Sequence, residues 1–400
     1  MKLLWVAPCF LHPTTRGGQI RTLEIVKRLH RRHEVHFAGL ADPQQPEGPD
    51  RASEYCSRVI AVPHTLPARG SLAFAGQLFR GLADGMPVAI RRTFSPALRD
   101  RVSQAMRDEN YDHVVCDFLA STPNVEALDR AILFQHNVET MIWRRHAEHA
   151  ADPLRRAYFG LQASRMERYE AETCRRALSV IAVSSGDREC MRNSFGVARA
   201  GDVPTGVDLD FFSPPPEAPA PKGLVFTGSM DWMPNVDGVL WFAREILPLL
   251  RRTHPDCPFI VAGRKPDPAI QELARMDVNI RVTGTVPDIR PWLWGAAVSI
   301  VPLRIGGGTR LKIYESMAAG VPVVSTAIGA EGLDYTGGEN ILIADSPAAF
   351  AEACARLLSN AAIARSIAAN AQQMVAQGFS WDRVIDSFEQ QLALHAPARS

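Results

Sequence analysis

Apolar runs recur along the chain, and between them lie longer stretches with the three-to-four residue spacing of a helix face. Runs at 3–7, 35–40, 59–62, 114–118, 131–136 and 180–184 are rich in Val, Ile, Leu and Phe. Each is flanked by polar or turn-forming residues, as expected of strands buried on both faces. Helical spacing occupies 19–32, 71–83, 95–108 and 153–177. In the first of these, Ile20, Leu23, Val26 and Leu29 form an apolar stripe beside a basic margin of Arg21, Lys27, Arg28, Arg31 and Arg32. Strand and helix alternate, which predicts an α/β fold with parallel sheet.

The pattern pauses between 203 and 222, where Pro214-Pro215-Pro216 and a Pro/Ala-rich run read as linker. It then restarts, with strands predicted at 223–227, 258–262, 280–283, 298–302 and 321–325. Helices are predicted between them at 235–251, 267–275, 289–295 and 310–319, and after them at 346–358, 361–376 and 382–394. The restart predicts two Rossmann-like, doubly wound domains, over 1–205 and 206–379, facing each other across a cleft. A terminal helix over 380–396 is expected to pack back on the first. Ligands in such sheets bind outside the carboxyl ends of the strands, so the cleft is the expected site. A length of 400 residues suits two domains.

Composition narrows the class. The net charge of +1 is not that of a nucleic-acid-binding polycation. The halves differ: residues 1–200 carry 28 Lys+Arg against 22 Asp+Glu, and residues 201–400 carry 16 against 21. The basic first half and the margin of the first helix suit an anionic acceptor or peripheral contact with an inner membrane. Seven cysteines without a C-x-x-C pair argue against a disulfide framework or zinc site and for a reducing, cytoplasmic setting. No apolar run reaches membrane-spanning length, and the first strand runs into Pro8 and Pro13 rather than a cleavage site.

The sharpest chemistry lies between Ser299 and Thr326. A buried strand leads into Gly306-Gly307-Gly308-Thr309, then Arg310-Leu311-Lys312 and a helix carrying Glu315, and finally a second strand. Glycines let backbone N–H groups approach a ligand, and a helix N-terminus favours an anion. Arg310 and Lys312 add positive charge there, and Glu315 is suited to a ribose diol. Together they suit a nucleoside diphosphate. Other candidates end predicted strands. Gly17 and Gly18 follow the first, and His136, with Asn137 and Glu139, follows the run at 131–136. Gly228 and Arg264 follow the strands at 223–227 and 258–262.

The 299–326 segment resembles the donor-binding signature of GT-B fold glycosyltransferases, particularly glycosyltransferase family four. That pattern has two glutamates seven residues apart, then a small-residue helix end and a Gly-x-Pro-Val strand. Glu315 matches the later glutamate, and Ala319-Gly320-Val321-Pro322-Val323 matches the ending. Gly307 stands where the earlier glutamate would be. The form Gly-Gly-Gly-Thr-Arg-Leu-Lys resembles a bacterial branch associated with exosortase and exopolysaccharide systems. Arg16-Gly17-Gly18-Gln19 is similar to the family's N-terminal glycine loop, and the turn carrying Val286 to its base-binding turn. After the strand at 223–227 the family's Gly-Arg grip on the diphosphate is replaced by Ser229-Met230, so the charge is expected to come from Arg310 and Lys312 instead.

The resemblance implies a retaining transfer of a sugar from a UDP- or GDP-linked donor to a saccharide or polyprenyl-linked acceptor, in bacterial exopolysaccharide or cell-surface glycan synthesis. It implies that His136 contacts the transferred sugar. No cofactor and no essential metal are expected, because the sequence has neither an Asp-x-Asp motif nor a His/Cys cluster. A GT-B nucleotide-sugar epimerase and a non-catalytic scaffold share the expected fold. A nicotinamide dehydrogenase is disfavoured, because no Gly-x-Gly-x-x-Gly follows the first strand.

Overall fold

The computed structural model describes residues 1–14, 17–65, 85–148, 150, 152–217, 220–305 and 310–394. The predicted helix at 71–83 and the predicted donor residues Gly306, Gly307, Gly308 and Thr309 lie outside them. The chain divides into two compact units: Met1–Pro204 with Val384–Ser400, and Thr205–Arg383.

The first unit is built on seven strands: β1 (Lys2–Ala7), β2 (Glu34–Ala41), β3 (Arg58–Pro63), β4 (His113–Asp117), β5 (Ala131–Phe134), β6 (Ser179–Ala182) and β7 (Ala200–Asp202). All pair in parallel, in the order β3-β2-β1-β4-β5-β6-β7. Its helices include α1 (Gly17–Arg32), α2 (Pro96–Asp108), α3 (Glu139–Glu148), α4 (Pro153–Arg176) and α5 (Ser185–Phe195). β1 and β4–β6 are apolar almost throughout because helices cover both faces of the sheet. The chain runs outward from β1 to β3, then resumes at β4 on the other side. This places a topological switch point between β1 and β4.

The second unit repeats the plan with β8 (Leu224–Thr227), β9 (Phe259–Ala262), β10 (Ile280–Gly284), β11 (Val298–Val301), β12 (Val323–Ser325) and β13 (Leu342–Ile343). They are parallel in the order β10-β9-β8-β11-β12-β13, with the switch point between β8 and β11. Helix α6 (Met233–Trp241) continues through a π-helical turn at Phe242–Ile246 into Leu247–Leu250, so the helix predicted at 235–251 forms with a wide turn inside it. Helices α7 (Pro268–Met276), α8 (Arg290–Trp294), α9 (Leu311–Ala318), α10 (Pro347–Ser359) and α11 (Ala361–Gly378) follow.

The last helix, α12 (Trp381–Leu394), joins both units. Trp381 lies against Gly206 in the second unit, where a Cβ would stand 2.5 Å from the indole. Further along, Phe388 enters the first core, 5.7 Å from Trp5 and 5.2 Å from Phe134 between ring centroids. Arg32 of α1 pairs with Asp386 and Glu389 of the same helix.

Part of the basic margin on α1 is engaged within this unit. Arg21 is buried, Arg28 is paired with Glu24, and Arg32 is held by α12. Arg21 falls outside the predicted stripe, yet it is buried beside His136, which follows β5.

Candidate active site

Each sheet gathers side chains at its switch point, where the strand ends diverge. In the first unit β4 delivers Asp117, β5 leads to His136, and α1 supplies Arg21 and Thr22. His136 Nε2 donates to Asp117 Oδ1 at 2.6 Å, and Thr22 Oγ1 donates to Asp117 Oδ2 at 2.8 Å. Arg21 Nη1 lies 3.1 Å from His136 Nδ1. A guanidinium can only donate, so Nδ1 is the acceptor and the proton sits on Nε2. Burial, the largest influence, lowers the His136 pKa, while Asp117 pulls it up. The ring is thereby held neutral in one tautomer.

Phe118 completes the cluster by stacking on His136, with centroids 3.7 Å apart and planes 10° from parallel. Its φ of 65° is costly for a residue with a Cβ. Gly18 permits this packing, since a Cβ there would meet the Phe118 ring at 2.6 Å. Gly17 begins α1 beside it. His136, expected to contact the transferred sugar, is 2% exposed, and both of its ring nitrogens are engaged within this cluster.

Asn137 and Glu139 lie just beyond, where α3 begins. The first backbone N–H groups of α3 are capped by Glu170 of α4, a residue the sequence did not single out. Its carboxylate accepts from the Glu139 and Thr140 amides at 2.8 Å each, from Thr140 Oγ1 at 2.6 Å and from Gln135 Nε2 at 2.8 Å. Burial pushes Glu170 up to about 7, against the pull of these donors. Glu139 is also pushed up by burial, with Asn137 as its hydrogen-bonding counterweight. Both residues belong to this loop's internal network.

The second unit carries a different collection. Arg310 is the N-cap residue of α9 and is 6% exposed, with its guanidinium 5.3 Å from the Trp232 ring. Lys312, the second residue of α9, extends back toward the end of β8. Its Nζ donates to Asn235 Oδ1 at 3.1 Å and stands 4.0 Å from the centroid of Phe226. It also crowds Gly228, where a Cβ would be 2.7 Å away. Burial and the neighbouring Arg310 lower Lys312 to about 7, while Glu315 pulls it up. Glu315, one turn further along α9, is itself pushed up to about 7 by burial, with Lys312 opposing.

Glycine is required at two turns here. Gly228 has φ 152° and Gly263 has φ 158°; a Cβ on Gly263 would strike the Gly228 carbonyl oxygen at 1.7 Å. Arg264, after β9, lies 3.7 Å from Asp231, and Asp231 also accepts from Ser229 Oγ at 2.5 Å. Val286 lies elsewhere, on the turn after β10, two strands out from β8. That turn is fixed by Arg290, which pairs with Asp288 at 2.7 Å and stacks on Phe211 at 3.9 Å. The structure thus brings together Gly228, Arg264, Arg310, Lys312 and Glu315, and sets Val286 apart. Asp231 and Phe226 join the site without having been predicted. No cluster suited to a metal ion occurs among the described residues.

Comparison with known proteins addresses what such a pair of units does. Residues 15–211 match the family described as Glycosyltransferase Family 4, and residues 221–360 the family described as Glycosyl transferases group 1. A Klebsiella pneumoniae protein described as an uncharacterized 44.6 kDa protein in the cps region is 21% identical, over 96% of this chain and 98% of that one. HepE of Anabaena, solved in complex with UDP and glucose, has 15% identity and a TM-score of 0.67 over 98% of this chain and 99% of its own. Sucrose-phosphate synthase of Thermosynechococcus elongatus has 16% identity and a TM-score of 0.71, with the same coverage. The solved structures establish the fold, and the two family matches, in order along the chain, take in most of its length. The chain is a glycosyltransferase of the GT-B fold, matching Glycosyltransferase Family 4 in its first half and Glycosyl transferases group 1 in its second.

Proposed function

We propose that the second unit binds a nucleoside diphosphate sugar at the β8–β11 switch point and that the enzyme transfers its sugar with retention of configuration. The observation carrying this reading is the convergence of Arg310 and Lys312, from one helix start, on the glycine turn after β8. The two cations and the α9 N-terminus supply charge for the diphosphate, and Glu315 accepts from the ribose. In the reaction the bond from the anomeric carbon to the diphosphate oxygen breaks and a bond to the acceptor oxygen forms. The acceptor proton passes to the departing diphosphate. Arg310 and Lys312 stabilise the negative charge that develops there, a task worth a few kcal/mol for each well-aimed donor. This chemistry uses no metal, and chelators are expected to leave activity intact.

The UDP complexes of HepE make UDP the first nucleotide to test. The Klebsiella relative from the cps region supports a role in bacterial exopolysaccharide or cell-surface glycan synthesis. We assign the acceptor, a saccharide or a lipid-linked one, to the first unit. The decisive experiment is calorimetry with UDP and GDP on the wild type and on the double variant Arg310→Ala/Lys312→Ala. A loss of at least about tenfold in affinity is expected, and equal affinity for both proteins overturns the assignment. NMR of the product's anomeric signal tests retention.

A further inference from the structure

Lys312 is held by a neutral amide. Asn235, the third residue of α6, is 3% exposed and ties three elements together. Its Nδ2 donates to the Ser229 carbonyl oxygen at 2.8 Å, in the turn after β8, and its Oδ1 accepts from Lys312 Nζ at 3.1 Å. A backbone carbonyl can only accept and an ammonium can only donate, so both contacts demand the same orientation of the amide. The Asn235 backbone N–H donates to the Trp232 carbonyl oxygen at 2.9 Å, which fixes the start of α6 on the same turn.

The fit is tight. A Cβ on Gly228 would stand 2.7 Å from Lys312 Nζ and 2.8 Å from Asn235 Nδ2. A lysine chain gives up much rotamer freedom when kept in one place, so its hold has to come from such contacts. The chemistry of the partner matters as much as its position. The charged groups acting on Lys312 are Arg310 and Glu315, both of α9. The other elements packed on it, β8 and α6, present the Phe226 ring, the Gly228 turn and the Asn235 amide. A carboxylate at 235 would pair with the ammonium and offer a diphosphate a neutralised site. An apolar residue would withdraw the acceptor and favour the neutral amine. The amide accepts the bond and adds no net charge, so the positive charge is kept for the ligand.

We infer that Asn235 is a positioning residue for sugar transfer: it holds the Lys312 ammonium on the β8 turn, charged and aimed at the diphosphate. The inference rests on the donor reading above and adds to it a residue that acts through Lys312.

Two measurements test it. NMR titration of the Lys312 amine in the free protein, assigned by its loss in Lys312→Met, reads the contact without any nucleotide. Asn235→Ala should lower the midpoint, and Asn235→Asp should raise it by about one unit or more. Calorimetry then closes a double-mutant cycle. Asn235→Ala should weaken UDP about tenfold in the wild type, the worth of one bond to a charged group, and within about twofold in a Lys312→Met background. Asn235→Asp should also bind UDP more weakly at pH 7, although its Lys312 is more fully charged, because the carboxylate cancels that charge. Asn235→Ser replaces the alanine variant should that one not fold. An unchanged Lys312 midpoint in the variants overturns the inference, as does an equal loss of UDP affinity in both backgrounds, which would reduce Asn235 to a brace for the turn. A wild type that binds neither UDP nor GDP defeats the donor reading instead, and the NMR titration still decides whether Asn235 holds Lys312.

Discussion

The two units solve the same topological problem with opposite electrostatics. Each brings a glycine turn and a strand end together at a switch point. In the first, Asp117, His136, Arg21 and Thr22 form a closed set in which both carboxylate oxygens and both ring nitrogens have partners. In the second, Lys312 has an amide oxygen, an aromatic face and the Glu315 carboxylate, with Arg310 as a like-charged neighbour. The first arrangement is closed by hydrogen bonds to its own carboxylate. The second stores positive charge at a cost that an arriving anion relieves. A switch point therefore marks where function is built, while the charge balance tells which side is completed by ligand.

The comparison breaks most sharply at Asp117. Asp117→Asn removes a buried carboxylate facing Arg21, whose own pKa burial lowers to about 10. It should cost about 2–4 kcal/mol in urea unfolding. UDP affinity should stay within twofold, and a large loss would merge the two sites that are distinguished here.

Next in size is Gly263→Ala, which forces apart the two backbone turns beside Lys312. About 2–3 kcal/mol of stability should go, together with most UDP binding, because the Gly228 turn must move.

The stored charge itself can be read from pH. Lys312 titrates near 7 in the free protein and must be charged to meet a diphosphate. Its contribution is thus full below 7 and is lost as pH rises through 7, by up to about tenfold per unit. Glu315, also near 7, acts oppositely on the acid side, so affinity should peak near neutrality. Calorimetry at pH 8 in buffers of differing ionisation heat should show uptake of about one proton per UDP. Lys312→Arg should abolish this uptake.

The smallest effect is expected at Trp232. Trp232→Ala removes a cation–π contact worth about 0.5–1 kcal/mol and should weaken UDP two- to fivefold. No change would mean that Arg310 is positioned without the indole.

Much of this was legible in the chain because buried parallel strands are apolar on both faces, and β1, β2, β4, β8, β9 and β11 announce themselves. The short edge strands β7 and β13 did not, since two or three residues carry no pattern. Helices α3 and α5 were missed for a related reason. Only Thr140 in α3, and Met191 and Phe195 in α5, are buried, so the apolar stripe that betrays a helix is thin. Arg310, Lys312 and Glu315 were found because one helix start holds all three. Asp117, Arg21 and Glu170 were not, since their partners lie 19 to 115 residues away and only the folded sheet joins them. A lone acid ending an apolar run, as Asp117 does, was the available hint.

The return of α12 to the first unit has a consequence for how the protein is made. The second unit is continuous from Thr205 to Arg383 and can consolidate as it emerges. The first unit, although synthesised first, lacks Phe388 between Trp5 and Phe134 until residue 388 has left the ribosome. Its core waits on a contact separated by nearly the whole chain, the kind of closure that slows folding. The half that is translated earliest is thus the half that is finished last.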